Sequence, residues 1–418
     1  MSHSINRFSR RPAIICVIAL ICCAAVSPAA WSADKPKGQE ISRVIAKEMT
    51  AAQKAIQASQ WTEALKDLDA AEAKSGLTPF DEKSIYYLKG FANVKLNNLK
   101  AAQAAFEKSL ATGAASAEDK ANIMRTLFGI SASTNQFQKT IDYGKEMADA
   151  GSATSNDLTI VAQSYFQLKD CKNSGVWVEK AVAASRKAGE APKENLFLFK
   201  LQCASDAGDN AAMIPVLNEL IHLTNKTTYW NTLLRIERQD ERDDLNLLMI
   251  YRIMYDTNSM QADTDYIEMA QLLGDKALPG EAQTVLEKAV SSGVLKDEHK
   301  ERTNRLLNAI KIRADADKKG LPALDAEATK NPAGQLDVKL GEVYFGAGNY
   351  QGAVTAITRG FGKGQIKQMD EAYVYLGRSQ AALKNNAEAK KAFVGLKSVP
   401  NISQRVLKLW ELYADKLG

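Results

Sequence analysis

The chain has 418 residues, 45% hydrophobic and 25% charged, the balance of a folded polypeptide rather than a disordered one. Of its formal net charge of +5, three charges are arginines near the start, Arg7, Arg10 and Arg11, which leaves +2 for the remainder and no argument for a nucleic-acid partner. Only 10 prolines and abundant alanine favour helix, because alanine loses no side-chain entropy there.

The N-terminus reads as a leader. The three arginines precede an apolar run, Ala13–Val26, and then Pro28 and small residues, the three regions of a secretory signal peptide. The run is short for a membrane span. Residues 1–33 are therefore expected to be removed, with cleavage between 29 and 33, and residues 34–39 (DKPKGQ) to form a disordered mature terminus. Export predicts a periplasmic location, with membrane anchoring the minor alternative.

From about Glu40 the apolar residues recur with helical period, and no stretch alternates with period two for long enough to form a sheet. Trp61 marks a first turn, followed by Ala64, Leu68 and Ala71 on one helix face. Gly90, Leu99, Ala102 and Phe106 repeat that arrangement. A weaker copy turns at Phe137, where Phe128 occupies a place that a small residue should fill. Ala162, Tyr165, Cys171, Val178 and Ala181 give a clear fourth copy, and Gly208-Asp209-Asn210 turn a fifth, with Pro215 early in its second helix. The sixth, near Asp243, is densely charged. The seventh turns at Pro279, with Ala282, Leu286 and Ala289 behind it, and an eighth is expected over about 301–330 with its turn at Asp317. The last two are the most alike: Leu340-Gly341 matches Leu376-Gly377, and Tyr350, Ala353 and Ile357 match Asn386, Ala389 and Phe393. In Ser403–Leu417, Val406, Leu407, Trp410 and Tyr413 share one face, opposite Lys408, Glu411 and Asp415.

A helix–turn–helix unit recurring every ~36 residues, with small residues where the two backbones meet, resembles the tetratricopeptide repeat (TPR). The resemblance implies an all-α fold: a TPR-type superhelical solenoid of about ten antiparallel helix pairs over 40–400, closed by a C-terminal capping helix over 401–418. Stability then comes from stacking neighbours, since one pair cannot bury its own apolar face. In TPR proteins fixed positions of the first helix face a groove. Carried over residue by residue, these give Tyr87, Phe91 and Val94, then Asn156, Thr159, Gln163 and Phe166, an apolar and amide-lined surface for a peptide. Further on they give Arg235, Arg238, Arg302, Arg305, Arg313 and Arg378, a basic stripe suited to an acidic segment.

Cys16, Cys22 and Cys23 fall in the leader, and Cys171 and Cys203 remain, an even pair in an exported chain. In a TPR stack the start of one second helix neighbours the end of the next first helix. That is where these two fall, so a disulfide is expected, with two buried thiols as the alternative. The bond would close a loop of about 33 residues and stabilise by roughly 3–4 kcal/mol.

No catalytic constellation is evident. His222 and His299 lie far apart without ligand partners at metal spacing. Gly360–Gly364 (GFGKG) lacks the downstream Lys-Ser/Thr of a phosphate loop and reads as a linker. The expectation is a protein that is not an enzyme, without metal, cofactor or small-molecule substrate.

Several stretches resemble one subgroup more than TPR proteins at large: QSYFQLKDCKNSGVWVEKAV (163–182), APKENLFLFKLQC (191–203), Tyr229-Trp230, ALPGEAQTVLEKAV (277–290) and DEAYVYLGRSQAALKNNAEAKKAF (370–393). They are similar to the secreted TPR proteins that accompany TonB–ExbB–ExbD energy-transduction systems in proteobacteria. That resemblance implies an adaptor for periplasmic or membrane proteins, TonB- or ExbD-like. The alternative is an adaptor for envelope assembly, serving peptidoglycan or outer-membrane protein machinery.

Overall fold

The computed structural model describes residues 40–418, and the leader and the 34–39 segment expected from the sequence lie outside the described residues. The described chain is helical, without strands, and divides after Lys200 into two compact units.

Unit 1 holds α1 (Ala46–Gln57), α2 (Trp61–Glu72), α3 (Pro79–Lys95), α4 (Leu99–Ala111), α5 (Ala117–Ser133), α6 (Phe137–Asp149), α7 (Ser155–Gln167), α8 (Cys171–Lys187) and the first half of α9 (Glu194–Asp206). Its extensive helix contacts run between sequence neighbours. Ala64, Leu68, Ala71, Ala102, Ala162, Val178 and Ala181, the positions expected to pack, are all buried. At the second copy a side chain at Gly90 would come within 2.7 Å of the Phe106 ring, so only glycine lets α3 and α4 meet there. The third copy inverts the arrangement. Phe128 stands on the first helix where a small residue was expected, and Gly144 on α6 leaves room for it, a Cβ there falling 3.0 Å from the Phe128 ring and 2.2 Å from Val161. The irregularity read from the sequence is thus a swap of large and small partners across the same contact.

One feature of unit 1 was not read from the sequence. Thr78, Ser116 and Thr154 each cap a first helix and bond the N–H of an aspartate three residues on, Asp81, Asp119 and Asp157. Each aspartate also holds the preceding repeat: Asp81 accepts from the Ser42 amide (2.9 Å), Asp119 pairs with Lys83 (2.7 Å) and Asp157 with Arg125 (3.1 Å). The Ser/Thr-x-x-Asp spacing of these caps was legible and carries a link between repeats.

Unit 2 holds the rest of α9, then α10 (Asn210–Thr224), α11 (Thr227–Gln239), α12 (Asp244–Asp256), α13 (Asp263–Asp275), α14 (Pro279–Ser291), α15 (Asp297–Lys330), α16 (Gln335–Gly346), α17 (Tyr350–Lys363), α18 (Met369–Ala382), α19 (Asn386–Gly395) and α20 (Gln404–Asp415). The expected turn at Asp317 is absent: residues 297–330 form one helix of 34 residues with Pro322 inside it. The described chain therefore has nine helix–turn–helix pairs, not ten, plus α15 and α20.

The backbone shows what the other turns use. In eight pairs the residue two before the second helix has a left-handed φ of 56–76°: Ser59, Asn97, Asn135, Lys169, Gly208, Ala277, Gly348 and Lys384. Each sits in a pair of bonds that closes the preceding helix, such as Ser59 N to Ile56 O and Gln60 N to Ala55 O, a Schellman arrangement. The pair turning at Asp243 does without the left-handed residue and uses the Asp243 side chain as N-cap on Asn246. Residues 310–320 hold Asp315, Asp317 and Gly320, which could serve either device, yet none of them leaves the helical conformation and the helix runs through.

α14 and α16 then touch directly across α15. Gly280 and Gly346 lie backbone to backbone, where a Cβ on Gly346 would sit 2.6 Å from the Gly280 Cα. The final helix departs from the expected role of closing the last pair alone. α20 buries Val406, Leu407, Trp410 and Tyr413 as expected, but it packs on α12 as well as α19. The Asn246 side chain accepts from the Ser403 amide, and Arg405 pairs with Glu237 and Glu241. Unit 2 therefore closes on itself.

Candidate functional site

In unit 1 the expected groove residues stay near the surface except Thr159, which is buried with its hydroxyl turned back onto the Ser155 carbonyl. Tyr87 and Phe91 on α3 are half-buried, set edge-on to Phe106 (5.9 Å) and Trp61 (5.8 Å). On α7, Asn156, Gln163 and Phe166 are half-buried; Asn156 accepts a bond from Lys193 (2.9 Å) and Phe166 packs on Phe199 (5.1 Å). Each aromatic keeps part of its ring exposed while its other contacts fix it, which makes a rigid apolar surface of low conformational-entropy cost.

The arginines of unit 2 do not form one stripe. Arg235 is exposed and lines a cleft of about 360 Å³ with Asn210, Ile236, Arg238 and Gln239. Arg238 turns inward and donates to the Tyr251 hydroxyl (2.7 Å) and to Asp265 (2.6 Å). Arg302, Arg305 and Arg313 are exposed on α15, not on a short first helix, and Arg305 pairs with Glu301 (3.2 Å). Ile312, 72% exposed, stands beside Arg313.

Arg378 is 5% exposed and lies at the centre of unit 2. Its guanidinium forms a two-bond pair with Asp256 (both 2.9 Å) and a further pair with Glu281. Arg252, fully buried, reaches Glu281 (2.9 Å), Glu371 (2.8 Å) and the Tyr375 hydroxyl (3.1 Å). Tyr375 in turn donates to Glu281 (2.6 Å). Burial alone would raise the Glu281 pKa; Arg252 and Arg378 overcome it and hold the carboxyl down at about 2. These groups come from α12, α14 and α18 and join residues 29 to 123 apart. Sequence reasoning missed Arg252, Glu281 and Glu371, since their signal, single charges inside apolar helix faces, is visible only once the partner helices are known.

The histidine reading changes in one respect. His299 opens α15 with its Nδ1 2.7 Å from Asp263, so it does have a carboxylate partner. Among the described residues no group of three histidine, cysteine or carboxylate side chains could hold a metal ion. Gly360–Lys363 end α17, and Gly364 accepts the Gly334 amide, so this stretch is a helix terminus. Cys171 is the first residue of α8, and Cys203 lies in α9. Among the described residues no helix is long and apolar enough to cross a membrane.

Residues 84–111, which run from α3 into α4, match the tetratricopeptide repeat family. No curated protein sequence matches the chain. A solved tetratricopeptide repeat protein from Parabacteroides merdae is 12% identical, covers 65% of this chain and 100% of its own, and superposes with a TM-score of 0.32. The TPR domain of P58(IPK) is 11% identical, with 89% and 98% covered and a TM-score of 0.24. The Naa15/Naa10 complex bound to HypK-THB gives 10%, 87%, 70% and 0.36. Scores of this size establish no common arrangement. The repeat match at 84–111 and the turn geometry repeated in eight pairs fit an all-helical α-solenoid built of tetratricopeptide-like helix pairs.

Proposed function

We propose that this chain is a non-catalytic, exported adaptor that holds envelope proteins on the first-helix face of unit 1, as part of a TonB-type energy-transduction and uptake system. The observation that carries the binding reading is the contrast in where candidate residues end up. Tyr87, Phe91, Asn156, Gln163 and Phe166 keep exposed surface, whereas Arg378 is consumed inside its own unit. Arg235, Arg302, Arg305 and Arg313 remain available to an acidic segment of a partner. The signal-peptide pattern supports a periplasmic setting, and the likeness of segments such as 163–182 and 370–393 supports the TonB link. A Cys171–Cys203 bond belongs to the same proposal and is tested by counting reactive thiols in the unreduced, denatured protein.

Crosslinking in intact cells, followed by recovery of the tagged protein and mass spectrometry, tests the function. Recovery of TonB- or ExbD-like periplasmic domains, lost in a Phe91→Ala/Phe166→Ala variant and weakened by Arg305→Glu, is the expected result. Recovery of cell-wall enzymes or outer-membrane assembly factors instead overturns the TonB assignment and leaves the adaptor role.

A further inference from the structure

A fourth buried carboxyl group lies on α16, the helix whose Phe345 packs against Tyr375 (4.9 Å) and under the Arg378 guanidinium (4.8 Å) of the cluster. Glu342, on α16, is 6% exposed, and its Oε2 meets Lys339 at 3.1 Å. Three polar atoms of this region have no hydrogen-bond partner: Oε1 of Glu342, Oε1 of Glu371 and Nη1 of Arg252. Arg252 and Arg378 are the only guanidinium groups of the cluster among the described residues, and both are already engaged by Asp256, Glu281 and Glu371. A carboxylate at Glu342 therefore brings the buried set to four carboxylates, Asp256, Glu281, Glu371 and Glu342, against two guanidinium groups and Lys339.

The neighbours of α16 decide how that charge is felt. Lys339 of the same helix and Arg252 of α12 favour the ionised form, while Glu371 of α18 opposes it. Glu281 of α14 and the Tyr375 phenol complete the cluster. The charged groups that α15 and α17 bring to α16, namely Asp325, Arg359 and Lys363, gather instead at Asp337. Elsewhere along the α15 and α17 contacts α16 meets apolar groups, Leu321, Leu324, Ala328 and Ala356.

We propose that Glu342 is a proton-binding switch for the closure of unit 2: protonated, it lets α18 settle on α16 and keep its ion pairs to α12, and ionised, it repels Glu371 and loosens that closure. Burial raises the Glu342 pKa from 4.5 to about 7, with Lys339 opposing and Glu371 adding to it. The sign follows from linkage. The closed form binds the proton more tightly than the open form, so the stabilisation is complete below about 4.5 and is lost as pH rises to about 7. Over that window the opening constant climbs by up to about tenfold per pH unit, the limit for one proton, and then levels off.

Hydrogen exchange of the full chain between pH 5 and 8, corrected for intrinsic rates and compared with Glu342→Gln, reads this directly. The expected result is that amides of α12, α16 and α18 open more than tenfold more often at pH 7.5 than at pH 5.5 in the unaltered protein. In Glu342→Gln that rise is absent, while any shared contribution from Glu237 remains in both. An equal rise in both proteins, or none in the unaltered one, overturns the proposal. Lys339→Met gives a second reading that retains the carboxyl: the pH at which opening levels off moves upward if Glu342 is the switch, and an unmoved profile overturns it. Because the readout is closure of unit 2, its failure leaves the adaptor reading of unit 1 untouched.

Discussion

The two units are built from the same helix pair and put it to opposite use. In unit 1 the polar links between repeats are local, and the longest of those described above, from Ser42 to Asp81, spans 39 residues. In unit 2 Arg252 reaches Glu371 across 119 residues, and Arg405 reaches Glu241 across 164. A stack with only neighbour contacts keeps a continuous face open to partners, and its stability is a sum of local terms. A stack whose last helix returns to an earlier one gives up that face and gains a common interior. The difference lies in a few residues: an absent turn near Asp317, two glycines that let α14 and α16 meet, and charges placed on faces that would otherwise line a groove.

The comparison can be broken most forcefully at Arg252. Arg252→Ala leaves Glu281 and Glu371 buried without their main cation and should cost about 3–5 kcal/mol, confined to unit 2. Denaturant melting followed by hydrogen exchange of each unit checks both the size and the confinement. Acid acts on the same group: Glu281 stabilises above about 4.5 and loses that contribution as pH falls towards about 2, so unit 2 should open in acid in a way that Glu281→Gln abolishes. Gly346→Val forces a side chain into the Gly280 backbone and should cost about 1–3 kcal/mol, lowering protection in both α14 and α16. In unit 1, Thr154→Ala removes the cap that also orients Asp157 and should cost about 1 kcal/mol, felt at α7 but not at α3. Arg235→Glu, on an exposed side chain, should change stability by less than about 0.5 kcal/mol while reducing recovery of an acidic partner.

Helix starts were the most legible part of the fold. Trp61, Leu99, Phe137, Cys171, Asn210, Pro279, Tyr350 and Asn386 each open a second helix as read, because small and large residues at fixed spacing record where two backbones touch. The eighth copy failed for a physical reason. Its charged, alanine-rich sequence suits a helix surface whether or not the helix turns, and Asp315, Asp317 and Gly320 would fit a turn as well as they fit the one long helix observed. The surface placement of Tyr87, Phe91, Asn156, Gln163 and Phe166 was legible from their first-helix positions, whereas Thr159, carried over by the same rule, is buried. The arginines of unit 2 were not, because an arginine on a first helix reads the same whether it meets solvent, like Arg235, or the carboxylates of a distant helix, like Arg378.

The central claim, an open unit beside a closed one, is tested most directly by the free energies of amide opening along the full chain under native conditions. Closure predicts that α12, α18 and α20 open together with one common free energy, although α20 lies at the C-terminus, while the helices of unit 1 open with a graded series of values. Independent exchange of α20 at the rate of a frayed terminus, with α12 and α18 still protected, would contradict it.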